Sequence, residues 1–189
     1  MPNWCNNTLE LAHEDPAMID RAEKALNEGK FLNEFIPVPE SLHIVAGRVG
    51  DGDEQRKLEE DTAKNLEVHG YGNWYDFCVN EWGTKWDIGE EGCQTRDSAT
   101  QLTCSFDSAW SPPITAYEKL LDLGFEVRAY YYEPGMAFAG IWDNGDDDYY
   151  DIGGMTSEAV KEELPESLDT MFGISECIAE YEEEEADSE

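Results

Sequence analysis

The chain has 189 residues, of which 44 are acidic and 12 are basic, so its formal net charge is −32 at neutral pH. Such a charge repels phosphate backbones and anionic lipids, which argues against direct binding to nucleic acid or to a membrane. A hydrophobic content of 40%, with 12% aromatic residues, is enough to build a core and excludes a wholly disordered chain.

The sequence contains no apolar run of membrane-spanning length, and its first residues, MPNWCNN, lack the features of a signal peptide. We therefore predict a cytoplasmic protein. Its five cysteines form no CxxC pair, and its three histidines are not spaced for a zinc site. The spacing predicts reduced, buried thiols and neither a metal ion, an iron–sulfur cluster nor any other cofactor.

The first predicted elements are a strand and a helix. Residues 4–11 alternate between apolar and polar side chains, which is typical of a strand. Asp15 and Pro16 then have the pattern of a helix start, and Gly29 that of a helix end. The sequence predicts a helix over residues 15–28.

The same signals for the start and the end of a helix recur further along the chain. A strand around Leu102 to Phe106 precedes a helix over 112–123, which begins at two prolines and ends at Gly124. Two more strands follow, joined by the turn Glu133-Pro134-Gly135. This order predicts an α+β fold: a ferredoxin-like α/β sandwich with a mostly antiparallel sheet, helices on one face, and both predicted helices on that face.

Two regions lie outside this pattern. Residues 31–95 read as a long insertion, with a polar helix over 53–67 and a more buried helix containing Trp74 to Trp82. After residue 153 the sequence predicts an acidic C-terminal extension over 154–189, with two helices broken at Pro165 and a tail from Glu182 that does not pack. Residues 143–148 read as a charged loop.

The stretch WGTKWD is the most distinctive motif. In one interpretation, Gly83 ends a helix and the indoles are core, so that Trp4, Trp82, Trp86 and Trp110 are mainly structural. In the alternative, the stretch is a clamp for a small molecule or nucleotide, in which two indoles stack on a ring and a lysine holds an anion. The clamp residues would be Trp82, Thr84, Lys85, Trp86 and Asp87.

Four stretches, MPNWCNNTLEL, WGTKWD, FDSAWSPPITAYEKL and YYYEPGMAFAG, resemble the YubB ferredoxin-like domain family in their order along residues 1 to 142. The resemblance implies a ferredoxin-like sandwich in residues 1–153, a protein carried by a plasmid or phage, and no catalytic residues to transfer. The acidic loop and the C-terminal helices depart from the family.

Tests for enzyme chemistry are negative, and we predict a protein without catalytic activity. The sequence has no phosphate-binding GxxxxGK[ST], no GxGxxG and no nucleophile elbow. The stretch from Asp143 to Gly154 resembles a calcium loop only superficially, because Gly145 and Tyr150 stand where ligands or the turn glycine belong.

The excess of acid remains to be explained. Residues 97–189 carry 24 acidic and 3 basic residues. A solubilising surface, salt adaptation or a plain acidic interaction protein are the simpler alternatives. We predict that the acids bind the basic surface of a bacterial host protein, one that binds DNA or acts in defence, by imitating DNA. The predicted contacts are Asp143, Asp146, Asp147, Asp148, Asp151, Glu158, Glu162, Glu163, Glu166 and Asp169.

Overall fold

The protein combines helices with one antiparallel sheet, as an α+β protein does, which confirms the predicted fold class. A computed structural model describes residues 3–89 and 93–186. The strands are β1 (Trp4–Ala12), β2 (Cys93–Ser98), β3 (Gln101–Ala109), β4 (Glu126–Glu133), β5 (Phe138–Asp143) and β6 (Asp146–Asp151). The helices are α1 (Pro16–Asn27), α2 (Phe31–Phe35), α3 (Asp53–His69), α4 (Trp74–Glu81), α5 (Ile114–Asp122), α6 (Ser157–Glu163), α7 (Glu166–Phe172) and α8 (Ile174–Ala186), with a short 3₁₀ turn at Glu40–Leu42.

The strands form one antiparallel sheet in the order β2-β3-β1-β4-β5-β6. The first four strands in that order, with α1 after β1 and α5 after β3, have the βαββαβ arrangement of a ferredoxin-like sandwich. The hairpin of β5 and β6 extends the sheet beyond β4. The segment predicted as an insertion supplies α2, α3 and α4 between α1 and β2.

Helices α1, α2, α4 and α5 cover the first face of the sheet. Asp15 starts α1 by accepting a hydrogen bond from the backbone N–H of Ala17 at 3.0 Å, and Pro16 is its first residue. Apolar residues of α1 and α5 enter the same core as alternate residues of the central strands. The prediction that these two helices share a face is confirmed.

The C-terminal helices lie on the opposite face of the sheet, where they cover β4, β5 and β6. Their apolar side chains pack on outward-facing residues of these strands in a second, smaller core formed by Tyr130, Ala139, Ile141, Ile152, Val160, Leu164, Leu168 and Ile174. The expectation of helices on one face therefore holds for α1, α2, α4 and α5 and fails for α6 to α8. The division of the chain at residue 153 into a domain and an extension stays a prediction.

The residues predicted as the loop 143–148 form a β-hairpin instead. Asp143 and Asp146 are paired across the turn, and Asn144 and Gly145 both have positive φ angles, of 48° and 108°. Asn-Gly at the tip of a two-residue hairpin is a strong turn signal, because both residues tolerate that conformation. The acid-rich composition concealed this signal.

The C-terminal region contains three helices rather than the predicted two. Pro165 separates α6 from α7 as expected, and Gly173, at a φ of 61°, ends α7. The prediction that residues from Glu182 onward do not pack is wrong for Glu182, whose carboxylate accepts hydrogen bonds from the N–H and hydroxyl of Ser157 at 3.1 and 2.7 Å. Residues 182–186 are helical, and residues 187–189 lie outside the described residues.

Candidate functional site

Two residues of the WGTKWD stretch hold the backbone in place. Thr84 is buried, and its hydroxyl accepts a hydrogen bond from the N–H of Ala109 at 3.0 Å and donates to the carbonyl of the same residue at 3.2 Å. This exchange joins the end of β3 to the motif beyond the described pairing of β2 with β3, which runs from Cys93 and Ser105. Thr84 is therefore a structural residue and not part of a clamp.

Asp87 is the second structural residue. Its carboxylate accepts hydrogen bonds from the backbone N–H groups of Leu32 and Asn33 at 2.6 and 3.0 Å, and from that of Ile88 at 2.9 Å. The first two N–H groups belong to the first turn of α2, so Asp87 caps that helix from a distance. Burial raises the pKa of Asp87 above its ordinary value, and the three N–H groups oppose part of that rise.

Trp82 is a core residue. Its indole N–H donates to the carbonyl of Ile36 at 2.9 Å, and its ring packs edge-to-face on Phe77. The burial of the Trp82 side chain supports the interpretation that this indole packs in the core. The other three tryptophans for which packing was favoured differ, because Trp4, Trp86 and Trp110 are 44, 39 and 40% exposed.

The exposed tryptophans gather around Lys85. The Nζ atom of this lysine lies 4.4 Å from the ring centroid of Trp86, 5.6 Å from that of Trp110 and 5.7 Å from that of Tyr75. The ring of Trp86 also lies 5.7 Å from that of Trp4. Helix α4, the motif itself and the segment after β3 thus each bring one aromatic ring to the same lysine, an arrangement stabilised by cation–π attraction.

Trp110 adopts an unusual backbone conformation in this cluster. Its φ angle is 69°, in the left-handed region that bulky residues rarely enter, and its N–H donates to the carbonyl of Asn3 at 2.9 Å. A conformation of this kind costs about 1–3 kcal/mol. Neither burial nor backbone preference explains a tryptophan at this position, whereas the orientation of its ring toward Lys85 gives it a role.

A pocket of about 310 Å³ lies beside the motif on the first face of the protein. Its apolar walls come from Val38, Trp74, Cys78, Trp82 and Trp86, and its polar residues are Lys30, Asn33, His43, Lys85 and Asp87. The sequence analysis had identified the part supplied by the motif. It missed Lys30, His43 and Trp74, because no periodic pattern connects residues that separate turns and helices bring together.

A larger groove of about 820 Å³ runs along the half of the second face that α6 to α8 leave open. Its floor is polar, with a hydrogen bond of 2.7 Å from the amide of Asn6 to Asp107 and one of 3.2 Å between the hydroxyls of Thr8 and Ser105. Its rims include the rings of Trp4 and Trp86 and the α7 residues Met171 and Phe172. These floor groups thus use part of their hydrogen-bonding capacity on one another.

The predicted acidic contacts are divided between the two faces of the sheet by the alternation of β6. Asp147 lies on the first face and accepts a hydrogen bond from the hydroxyl of Tyr131 at 2.7 Å. Asp148 lies on the second face beside Tyr150. Desolvation, followed by the charges of Asp148 and Glu163, raises the pKa of Tyr150, so strand β6 and helix α6 contribute carboxylates to the same place.

Several of the predicted contacts are engaged within the protein. Both oxygens of Asp169 accept hydrogen bonds from Ser175, at 2.6 and 2.7 Å, so this half-buried residue fixes the start of α8. Asp143 lies 3.6 Å from Arg128, and Asp151 accepts a bond from the N–H of Gly153 at 3.0 Å. Six predicted contacts are exposed, and their side chains form no hydrogen bond or ion pair within the described residues: Asp146, Asp148, Glu158, Glu162, Glu163 and Glu166.

Within residues 3–89 and 93–186, no three histidine, cysteine, aspartate or glutamate side chains are grouped to hold a metal ion. No helix of the same ranges is long and apolar enough to cross a bilayer. Burial raises the pKa of the thiols of Cys5, Cys78 and Cys104 to about 12, while Cys177 is exposed, so the prediction of buried thiols fails at Cys177. The side chain of Cys93 lies outside the described residues.

No family model matches the chain, and no curated protein matches it. Among solved structures, the crystal structure of protein api92 from Yersinia pseudotuberculosis, of family model DUF1281, is similar at 14% sequence identity. That similarity covers 79% of this chain and 98% of the other, with a TM-score of 0.44.

Proposed function

We propose that this protein acts by binding, and that its C-terminal acidic layer docks on the basic, nucleic-acid-binding surface of another protein in the place of DNA. The acidic layer consists of strand β6 and helices α6 to α8. One observation carries the proposal. Residues 143–186 contain 16 acidic residues and a single basic one, Lys161, and the helices of this segment cover β4, β5 and β6 on one face of the sheet.

The acidic layer gives its carboxylates a fixed arrangement. The buried side chains Val160, Leu164 and Leu168 hold α6 and α7 on the sheet, so the opposite sides of these helices, with Glu162 and Glu166, are turned to solvent. Duplex DNA carries about one negative charge per 1.7 Å of its axis. Rows of carboxylates on helices of a folded protein can offer lysine and arginine side chains a comparable field.

The acidic layer also differs from an ordinary solubilising surface. On α3, which is equally polar, Arg56, Lys57 and Lys64 alternate with the acids, and Arg56 pairs with Asp53. A mixed surface is sufficient for solubility, and it avoids the self-repulsion that a surface of one sign causes. The acidic layer is of one sign in spite of its self-repulsion. A basic partner explains this, because such a surface attracts it over long distances.

The experiment compares two variants that lose the same charge. The first is Glu162→Gln/Glu163→Gln/Glu166→Gln in the acidic layer, and the matched control is Glu54→Gln/Glu60→Gln/Glu67→Gln on α3. Each protein is used to capture partners from a bacterial lysate at low salt, and the captured protein is then titrated with duplex DNA.

We expect the acidic-layer variant to bind the captured protein at least about tenfold more weakly, since each lost charge-assisted contact contributes about 1 kcal/mol or more. The control should bind like the parent, and DNA should displace both. Equal binding by the two variants, simultaneous binding of DNA, or no capture at low salt would overturn the proposal.

The origin of the protein is part of the same proposal. The motifs that resemble the YubB ferredoxin-like family point to a gene carried by a phage or plasmid, and the partner would then be a DNA-binding or defence protein of the bacterial host. A protein that occupies the DNA-binding surface of a restriction enzyme would protect the incoming DNA. Capture from lysates that contain and lack a restriction system tests this step directly.

A further inference from the structure

The pocket beside WGTKWD has the size and walls of a small-molecule site. Its volume of about 310 Å³ falls at the lower end of the range for ligand pockets, about 300–1,000 Å³. Three indoles, those of Trp74, Trp82 and Trp86, are among the residues that line it. Flat apolar walls of this kind favour a planar ring, because aromatic faces stack or meet edge-to-face.

The polar groups of the pocket that remain available are mainly donors. Both oxygens of Asp87 are taken by backbone N–H groups, and the side-chain oxygen of Asn33 accepts a bond from the N–H of Val38 at 3.0 Å. The amide NH₂ of Asn33, the imidazole of His43 and the ammonium group of Lys85 remain, and the exposed ammonium group of Lys30 lies 3.9 Å from the carboxylate of Glu28, a solvent-screened pair that a ligand can replace. The pocket therefore attracts an anion, although the whole protein is strongly negative.

Lys85 is the central residue of this argument. Within the described residues it forms no ion pair, although the chain has 44 acidic residues. The rings of Tyr75, Trp86 and Trp110 hold its ammonium group in place, and the last of these adopts a strained backbone conformation. A lysine that is fixed by aromatic rings but not neutralised is prepared to receive an anionic group at little entropic cost.

We propose that this pocket binds a small planar ring that carries an anionic group, either a carboxylate or a phosphate. The ring lies against the indoles of Trp74 and Trp86, and the anionic group accepts hydrogen bonds from the ammonium groups of Lys85 and Lys30. This site is separate from the acidic layer, which covers the other face of the sheet. It differs from the clamp that was the alternative interpretation of the sequence, because Thr84 and Asp87 serve the fold and Lys30 and Trp74 complete the site.

The test uses two anions and their neutral parents as probes: adenosine 5′-monophosphate with adenosine, and indole-3-carboxylate with indole. Binding is measured by calorimetry and by the shifts of the tryptophan indole N–H signals in NMR spectra. Inorganic phosphate alone serves as a further probe, and it should not displace a bound ring. The two anions distinguish a phosphate ligand from a carboxylate ligand.

We expect at least one anion to bind saturably, with its neutral parent at least about tenfold weaker, because one charge-assisted contact contributes about that much. Lys85→Met should weaken this binding by a similar factor. Lys57→Met on α3, which removes the same charge far from the pocket, should leave it unchanged. Lys30→Met, at an exposed position, provides a second variant in case Lys85→Met does not fold.

Three results would overturn the proposal. One is the absence of saturation by either anion at about 5 mM, a concentration well above the dissociation constants of most specific small-molecule sites. Another is equal affinity for an anion and its neutral parent. The last is a Lys57→Met variant that loses as much affinity as the folded lysine variants of the pocket.

Discussion

The indole of Trp82 fills a space between α2 and α4, and its N–H group satisfies the carbonyl of Ile36. Trp82→Ala should lower the free energy of unfolding by about 3–5 kcal/mol, because the substitution leaves a cavity and an unpaired carbonyl. Urea unfolding followed by circular dichroism measures this loss. Trp110→Ala, which removes an indole that is 40% exposed, is the control and should cost clearly less. Similar losses at the two positions would contradict the assignment of Trp82 to the core.

At the scale of single residues, the WGTKWD stretch stands out in the sequence, but the roles of all its residues do not follow from it. The glycine turn after α4 and the burial of Trp82 follow from local rules on helix ends and apolar side chains. The roles of Thr84 and Asp87 do not, because their partners, Ala109 and the first turn of α2, are distant in sequence. A hydroxyl or carboxylate in such a motif suggests a ligand-binding or catalytic role until the backbone groups that it satisfies are known.

At the scale of elements, one carboxylate of α8 links this helix to the start of α6. Hydrogen bonds from the hydroxyl and N–H of Ser157 lower the pKa of Glu182 below its ordinary value of 4.5. A carboxylate whose pKa is lower in the folded state stabilises the fold above its unfolded pKa, and this contribution is lost as the pH falls through the folded pKa. The link between α6 and α8 should therefore weaken in acid.

The comparison of Glu182→Gln with the parent tests this link. The difference between their melting temperatures should be largest above pH 4.5 and should shrink on acidification below it, because protonation removes the same charge from the parent. Glu183→Gln removes an equal charge one residue further along and serves as the control. A difference that stays constant from pH 7 to pH 3 would exclude a role for the ionised Glu182.

The elements themselves were predictable where local signals were strong. Helices α1 and α5 have proline starts and glycine ends, and β1, β3 and β4 alternate, so these elements and their common face follow from the sequence. The hairpin at Asn144 and Gly145 was missed because four of the six residues of β6 are aspartates, which are depleted in strands. Its charges suit an edge strand, where they discourage pairing with another chain.

The placement of α6 to α8 belongs to the scale of the whole molecule. Strand residues such as Tyr130 and Ile141 give β4 and β5 apolar groups on both sides, so the second face needs a cover. A sequence pattern shows that a strand is apolar on two sides, but it does not show which segment covers it. For the same reason, the pocket beside WGTKWD could not be predicted. The turn after α1, helix α2, helix α4 and the motif all line it, and these segments meet only in the folded chain.

The distribution of charge over the molecule leads to opposite effects of salt on stability and on binding. In the acidic layer the carboxylates repel one another with Lys161 as the only cation between residues 143 and 186, and this repulsion acts against the folded state. Raising the ionic strength from about 20 to 200 mM shortens the screening length to below about 10 Å and weakens that repulsion. The melting temperature should rise by at least about 2–4 °C, the equivalent of ~1 kcal/mol in a chain of this size.

The two triple variants locate the repulsion. Glu162→Gln/Glu163→Gln/Glu166→Gln should melt higher than the parent at low salt and gain less from added salt, since it removes three exposed carboxylates from α6 and α7. Glu54→Gln/Glu60→Gln/Glu67→Gln changes the net charge equally, but its acids stand among Arg56, Lys57 and Lys64, so its salt dependence should stay close to that of the parent. Calorimetric melts across the salt series give both comparisons. Identical salt responses in the two variants would mean that the charge acts as a uniform field. A melting temperature that falls as salt is added would mean that attractive ion pairs dominate.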